Sequence, residues 1–239
     1  MARDRGRDTP GRKKKTPPEL RPREVYVLTE GEVTEPGFIE YVRDHGTPKE
    51  PGQSVEILFK NLTAPTKRRK PLPLVEEAIP FVTSAEKAAR KAGLEETDWN
   101  WPQVWCLFDR DRHEDIPTAF SRAKRAGVRI AYSHPCFELW RLFHYQNYTS
   151  TFGGVCDSAA DRLKQQPGFT QTYGPTIRSV SPETAKRVMP EQLRGRYEKA
   201  RKFAEQRNAA HAGRTDQNRW DPYTDVYRFV EEGLGVREY

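Results

Sequence analysis

The sequence predicts an α/β fold: a mainly parallel four-stranded sheet flanked by helices, with a helical C-terminal lobe. Three observations predict it. Four short apolar runs of strand length occur at residues 24–30 (EVYVLTE), 54–59 (SVEILF), 103–108 (QVWCLF) and 128–133 (VRIAYS). Segments of helical periodicity separate them, giving the order β-α-β-α-β-α-β. The runs are continuously apolar rather than alternating, the pattern of strands covered on both faces.

Residues 1–23 contain nine Lys/Arg against three acidic residues and almost no apolar side chains. Such a segment buries too little surface to offset the entropy of ordering, so a disordered basic arm is expected there. The run at 24–30 ends at Gly31, as a buried strand followed by a turn does. Pro36 suits the first turn of a helix, Phe38, Ile39 and Val42 share one face, and Gly46 is the stop. The run at 54–59 follows a Pro/Gly-rich turn, and a Pro-rich basic loop at 61–73 leads into a helix over 74–91, closed by Gly93. The third run stops at Asp109. A helix over 116–126, ended by Gly127, precedes the fourth run. Beyond it no comparable strand signal returns, and helices are expected at 137–145, 158–165, 191–210 and 224–232. The expected division is therefore a basic arm at 1–23, an α/β domain at 24–134 and a helical lobe at 135–239.

Composition narrows the function. Only 35% of residues are hydrophobic, but five Trp, ten Tyr and eleven Phe supply bulk for a core in a chain of 239 residues. No stretch approaches the roughly 20 apolar residues that cross a bilayer, and no apolar segment follows the N-terminal Lys/Arg. A cytoplasmic protein without a membrane partner is expected. The three cysteines, Cys106, Cys136 and Cys156, form no CxxC pair and are expected to be ordinary thiols rather than a disulfide or structural zinc site. Neither a Walker A sequence nor GxGxxG is present, so the chain shows no nucleotide-hydrolysis loop of its own.

The chemistry concentrates at strand ends. In open α/β sheets ligands gather outside the carboxyl ends of the strands. Glu30 stands there after the first run, and Asp109 and Asp111 after the third. Three carboxylates brought together repel one another and raise one another's pKa unless a cation joins them. Mg²⁺ takes oxygen ligands and keeps waters, leaving room for phosphate oxygens and an attacking water. The bland alternative is that Asp109 and Asp111 open a loop and pair with Arg110, Arg112 or Arg141.

The order strand-EG, strand, strand-DxD, strand resembles the Toprim fold of topoisomerases, primases and overcoming-lysogenization-defect nucleases. Four ordered segments, TEGEVTEPGF (29–38), CLFDRDRH (106–113), SHPCFELWRLFH (133–144) and DPYTDVYRFVEEGL (221–234), together resemble the RloB-like family of Toprim-fold, defence-associated nucleases. One departure is Asp221, where Asn is expected before the proline. The resemblance implies Mg²⁺, for which Mn²⁺ can substitute, held by Glu30, Asp109 and Asp111, with Glu30 as base or ligand. It also implies phosphodiester hydrolysis of DNA or RNA, tRNA included, in antiviral defence beside an ATPase encoded nearby.

Further candidates surround this trio. Glu138 falls in the first turn of a helix, with Arg141 and His144 three and six residues on, and either lies near the metal or pairs with Arg141. His113 follows the DxD by two residues and can meet a phosphate or position water, while Glu35 begins a helix near Glu30. Cys136 between His134 and Glu138 raises a Cys/His hydrolase, but neighbouring residues of an extended segment point apart. For nucleic-acid binding the basic candidates are Lys67, Arg68, Arg69 and Lys70 in one run and Arg194, Lys199, Arg201 and Lys202 in a second, near Tyr197 and Phe203. A solvated surface explains either run equally well. The rival function is a non-catalytic nucleic-acid-binding or sensor module of an ATPase-containing complex, and a homo-oligomer is compatible with both.

Overall fold

The computed structural model describes residues 17–239. Residues 1–16, most of the expected arm, lie outside it. The rest of the arm is ordered: Pro18–Leu20 forms a 3-10 turn, and the Asn100 amide donates to the carbonyls of Pro18 and Arg21 (2.8 and 3.0 Å).

The elements in chain order are β1 (Arg23–Thr29), α1 (Thr34–His45), β2 (Thr47–Pro48), β3 (Val55–Phe59), α2 (Pro71–Lys91), β4 (Gln103–Asp109), α3 (Ile116–Ala126), β5 (Arg129–His134) and α4 (Glu138–Phe143). They continue with α5 (Cys156–Lys164), α6 (Pro182–Ala185), α7 (Pro190–Leu193), α8 (Tyr197–Ala209), β6 (Tyr223–Thr224), α9 (Val226–Arg228), a single π turn (Phe229–Gly233) and β7 (Val236–Glu238). The sheet order is β3-β1-β4-β5-β6, parallel through the first four strands. This is the expected α/β architecture with its Toprim-like strand sequence, enlarged by a fifth, antiparallel strand.

Side-chain alternation explains why the strands read as unbroken apolar runs. Val25 and Val27 of β1 and Trp105 and Leu107 of β4 enter one core with Phe38, Ile39 and Val42 of α1. Leu28, Val104, Cys106 and Phe108 enter a second core with Leu74, Val75 and Ala78 of α2 and Ala119 and Ala123 of α3. Both faces of β1 and β4 are therefore covered. After β1 the chain passes to β3 on one side, and after β3 it returns to β4 on the other. The switch in direction leaves a crevice between the carboxyl ends of β1 and β4.

The C-terminal part joins the α/β core. Leu139, Trp140 and Leu142 of α4, Tyr197 and Ala200 of α8 and the terminal Tyr239 all belong to the first core. β7 pairs antiparallel with β2, and β6 with β5. Neither strand was legible, because two or three residues are too short for any period. Buried Asp225 extends the β5 edge by accepting from the Tyr132 amide (2.7 Å). The helix expected over 191–210 is broken by Gly195, whose φ of +67° only glycine adopts readily, so α7 and α8 replace it.

Arg69 corrects its expected place on a basic surface. Its side chain is 2% exposed, and its guanidinium donates to the carbonyls of Ala64 (3.0 Å), Leu62 (2.7 Å), Gly31 (3.3 Å) and Thr29 (3.4 Å). Lys67, Arg68 and Lys70 are exposed as expected. The fork geometry of arginine satisfies several carbonyls that no apolar or shorter side chain reaches. Arg69→Ala is expected to cost about 1–3 kcal/mol because the Leu62 and Ala64 carbonyls lose their donor, while Arg68→Ala stays within about 0.5 kcal/mol. Denaturant unfolding of both variants checks this, and equal midpoints would refute the structural role of Arg69.

Candidate functional site

Glu30, Glu35, Asp109, Asp111 and Glu138 line one cavity of about 850 Å³ at the carboxyl ends of β1, β4 and β5. Register sets this arrangement: Thr29 pairs with Leu107 across β1 and β4, and Asp109 with Ser133 across β4 and β5. Glu30 and Asp109 thus leave adjacent strands at nearly the same level.

Hydrogen bonds fix the Glu30 carboxylate. One oxygen accepts from the Asp109 amide (2.9 Å) and the other meets His113 Nε2 (2.9 Å). That bond is the main reason the His113 pKa lies above its ordinary value. The backbone beneath is clamped from outside: Asn61 accepts from the Thr29 amide (3.0 Å) and donates to the Thr29 carbonyl (2.7 Å), and Arg69 holds the Thr29 and Gly31 carbonyls. Asn61 and Arg69 are positioning residues that sequence reasoning missed, since nothing within a polar, basic loop distinguishes them from their neighbours.

Glu35 reaches back to the same turn. Its side chain is 4% exposed and accepts from the Gly31 amide (2.9 Å). A β-carbon at position 31 would fall 1.9 Å from the Glu35 carboxylate, so glycine at this place lets Glu35 fold over the turn. Burial, then the charges of Glu138 and Glu30, push the Glu35 carboxyl up to about 7. Asp109 is driven well above the ordinary carboxylate range by burial and by Glu35, Glu30 and Glu138. Four carboxylates therefore feel one another across the cavity.

Asp111 stands at the mouth, exposed, with φ of +36° and its amide donating to the Pro135 carbonyl (3.0 Å). Among the described residues neither Asp109 nor Asp111 takes part in an ion pair, so the expected alternative of pairing with Arg110, Arg112 or Arg141 does not occur. Arg141 is instead buried and donates to the Ala185 carbonyl and to Gln192 Oε1 (both 2.7 Å), with Glu138 at 4.0 Å. It fastens the 185–192 segment to α4. His144 is structural: buried, bonded to the Trp140 carbonyl and the Tyr239 hydroxyl, and pushed by burial down to about 3.

The second basic run is not at the cavity. Arg194, Lys199, Arg201 and Lys202 are absent from its lining, which takes its cations from Arg69, Arg141, Lys164 and Lys186. Arg201 is bound to Glu205 (3.1 Å) and Glu231 (2.8 Å), and Lys199 donates to the Tyr145 carbonyl (2.6 Å). Arg194 and Lys202 are exposed.

The cysteine expectation also needs correction. Cys136 and Cys156 are joined as a disulfide, with Cα atoms 5.4 Å apart, and only Cys106 is a free buried thiol. Twenty residues separate the pair, so only the packing of α4 against α5 brings them together. This pairing also removes Cys136 from any Cys/His hydrolase. Asp221 has a defined role: its carboxylate accepts from Thr151 Oγ1 (2.7 Å), the Phe152 amide (3.0 Å) and the Gly154 amide (2.8 Å), tying down the 151–154 loop.

The acids of the crevice offer carboxylate oxygens: Glu30 is paired with His113 and Glu138 lies 4.0 Å from Arg141, whereas Glu35, Asp109 and Asp111 take part in no ion pair among the described residues. That set suits a hard divalent ion such as Mg²⁺ or Mn²⁺. Glu30, Asp109 and Asp111 share the cavity without bringing one oxygen from each within 4.8 Å of the others; among the described residues the set whose single ligand atoms do come that close is Cys136, Glu138 and Cys156. No helix among the described residues is long and apolar enough to cross a membrane. Comparisons with curated proteins and with solved structures find no match. The family model described as RloB-like protein matches residues 25–232, nearly the whole chain, and the chain therefore belongs to the RloB-like family.

Proposed function

We propose that this chain is a divalent-metal-dependent nuclease that hydrolyses phosphodiester bonds of DNA or RNA. The observation that carries the reading is the convergence of Glu30, Glu35, Asp109 and Glu138 on one cavity, where Glu35 and Asp109 are buried without an ion-pair partner among the described residues. A structure that held such groups for stability alone would pair them.

In this reading Asp109 and Asp111 hold Mg²⁺, with Glu35 and Glu138 placed to complete or orient the ligand set. Bound there, the ion would polarise a phosphoryl oxygen and lower the pKa of a coordinated water. Glu30 and His113 form a hydrogen-bonded pair beside it, and together they accept a proton from the attacking water and orient it. Lys164 and Lys186 on the cavity wall neutralise flanking phosphates. Lys67, Arg68 and Lys70, exposed beside the buried Arg69, extend the phosphate track. Family membership supports a role in antiviral defence with an ATPase partner.

Asp111→Asn tests the mechanism. It keeps size and removes one ligand charge, so cleavage should fall about 100-fold or more, since even indirect supports of metal ligands cost 10–100-fold. Nucleic-acid binding in EDTA should persist or strengthen as repulsion toward the phosphates is relieved. Gel assays on DNA and RNA, with the partner ATPase present and the fold confirmed by circular dichroism, read the outcome. Wild-type turnover in the variant would end this mechanism.

The carboxylates also set a pH dependence. Glu35 binds its proton at about 7 when folded and at its ordinary value of 4.5 when unfolded, so its neutral form stabilises fully below about 4.5 and loses that contribution as pH rises through 7. His113, raised by Glu30, acts in the same direction near neutrality. In EDTA the melting temperature should therefore fall between pH 5 and pH 8, and Mg²⁺ should restore more of it at pH 8, where the ligands are ionised. A flat EDTA profile with no Mg²⁺ effect at pH 8 would speak against the site.

A further inference from the structure

Cys136, Glu138 and Cys156 place two sulfurs and a carboxylate oxygen within 4.8 Å of one another on the wall of the same cavity. Three elements bring them there: Cys136 follows Pro135 at the end of β5, Glu138 opens α4, and Cys156 opens α5. Cys156 Sγ lies 3.8 Å from Glu138 Oε2. The other Glu138 oxygen, Oε1, faces Arg141 at 4.0 Å, so Oε2 is the one turned to the sulfurs. Beside two thiolates it is the third negative donor, and three such donors on one side of a cavity are the protein half of a tetrahedral site with an open fourth position. The first turn of α5, nine residues long, favours the anionic form of Cys156.

Softness separates this set from the carboxylate crevice. Thiolates select Zn²⁺, whereas oxygen-only ligands suit Mg²⁺ or Mn²⁺. We propose that in the dithiol state Cys136, Cys156 and Glu138 form a Zn²⁺ site, and that the Cys136–Cys156 disulfide is the metal-free state of the same pair. Binding converts two thiols and Zn²⁺ into the dithiolate complex and releases two protons. Oxidation by a small-molecule disulfide passes two electrons from the dithiolate to the oxidant, which takes up two protons and leaves as two thiols. The protein S–S bond forms and Zn²⁺ departs. The site stands on its own geometry and does not depend on the nuclease reading.

Cobalt supplies the test, because a thiolate–Co²⁺ bond gives a near-ultraviolet charge-transfer band that oxygen-ligated Co²⁺ at Asp109 and Asp111 lacks. The full chain, reduced with a phosphine and desalted without air, is titrated with Co²⁺. The expected result is that band at one equivalent, with strong tetrahedral visible absorption, displaced by Zn²⁺. Protein oxidised with glutathione disulfide and reduced Cys156→Ser should both lack it, Cys106→Ser should retain it, and Glu138→Gln should weaken binding by about 10-fold or more. No charge-transfer band in reduced wild-type protein at saturating Co²⁺, or an equal band after oxidation, would overturn the site. Unchanged affinity in Glu138→Gln would overturn Glu138 as the third ligand. None of these spectra depends on cleavage, so failure here and failure of the Mg²⁺ site are separable.

Discussion

The bond from the Asp109 amide to the Glu30 carboxylate is the link on which the site depends. It joins the ends of two neighbouring strands at the point where the chain changes direction across the sheet, and it orients one acid with the backbone of another. A carboxylate held by a backbone N–H loses the freedom to turn away from its neighbours. The same bond points the remaining Glu30 oxygen at His113. One interaction thus spaces the acids and builds the acid–histidine pair.

Holding acids together costs stability, and the surrounding chain shows where the compensation lies. Asn61 and Arg69 saturate the backbone polar groups of the β1 turn, so the strand end cannot relax away from β4. Glu35 is tied to Gly31, and only the missing side chain of that glycine leaves room for it. Burial first, and repulsion after it, then appear as raised proton affinity at Glu35 and Asp109. Sites that perturb carboxylates in this way are where metal or acid–base chemistry is found.

What was legible in the sequence follows from the range of each interaction. The four parallel strands were legible because burial on both faces forces unbroken apolar runs, and α3 matched its expected range, 116–126, because proline and glycine mark its ends. Glu30, Asp109 and Asp111 could be named because strand ends in an α/β sheet converge by topology, and Glu35 and Glu138 because they open the helices that follow β1 and β5. Arg69 could not be told from Arg68, since burial of one cation in a run of four depends on contacts with carbonyls as far back as Thr29. The Cys136–Cys156 pair and the strands β6 and β7 were hidden for the same reason. Each exists only through partners distant in the chain, and none leaves a periodic trace.

Those distant partners also explain why the acidic crevice needs the C-terminal half. The cavity's far wall is α4, α5 and the 185–186 segment, and each is fixed by a long-range contact. Arg141 pins Ala185 and Gln192, and Asp221 pins the loop before α5. Tyr239 closes the arrangement, because its ring packs on Phe38, Tyr41 and Tyr197 and its hydroxyl meets His144. α1, which carries Glu35, and α4, which carries Glu138, are thereby locked to one another through Tyr239. The separation of those two carboxylates is set by a shared core, so a change in the aromatic cluster around Tyr239 reaches the cavity without touching any acid in it.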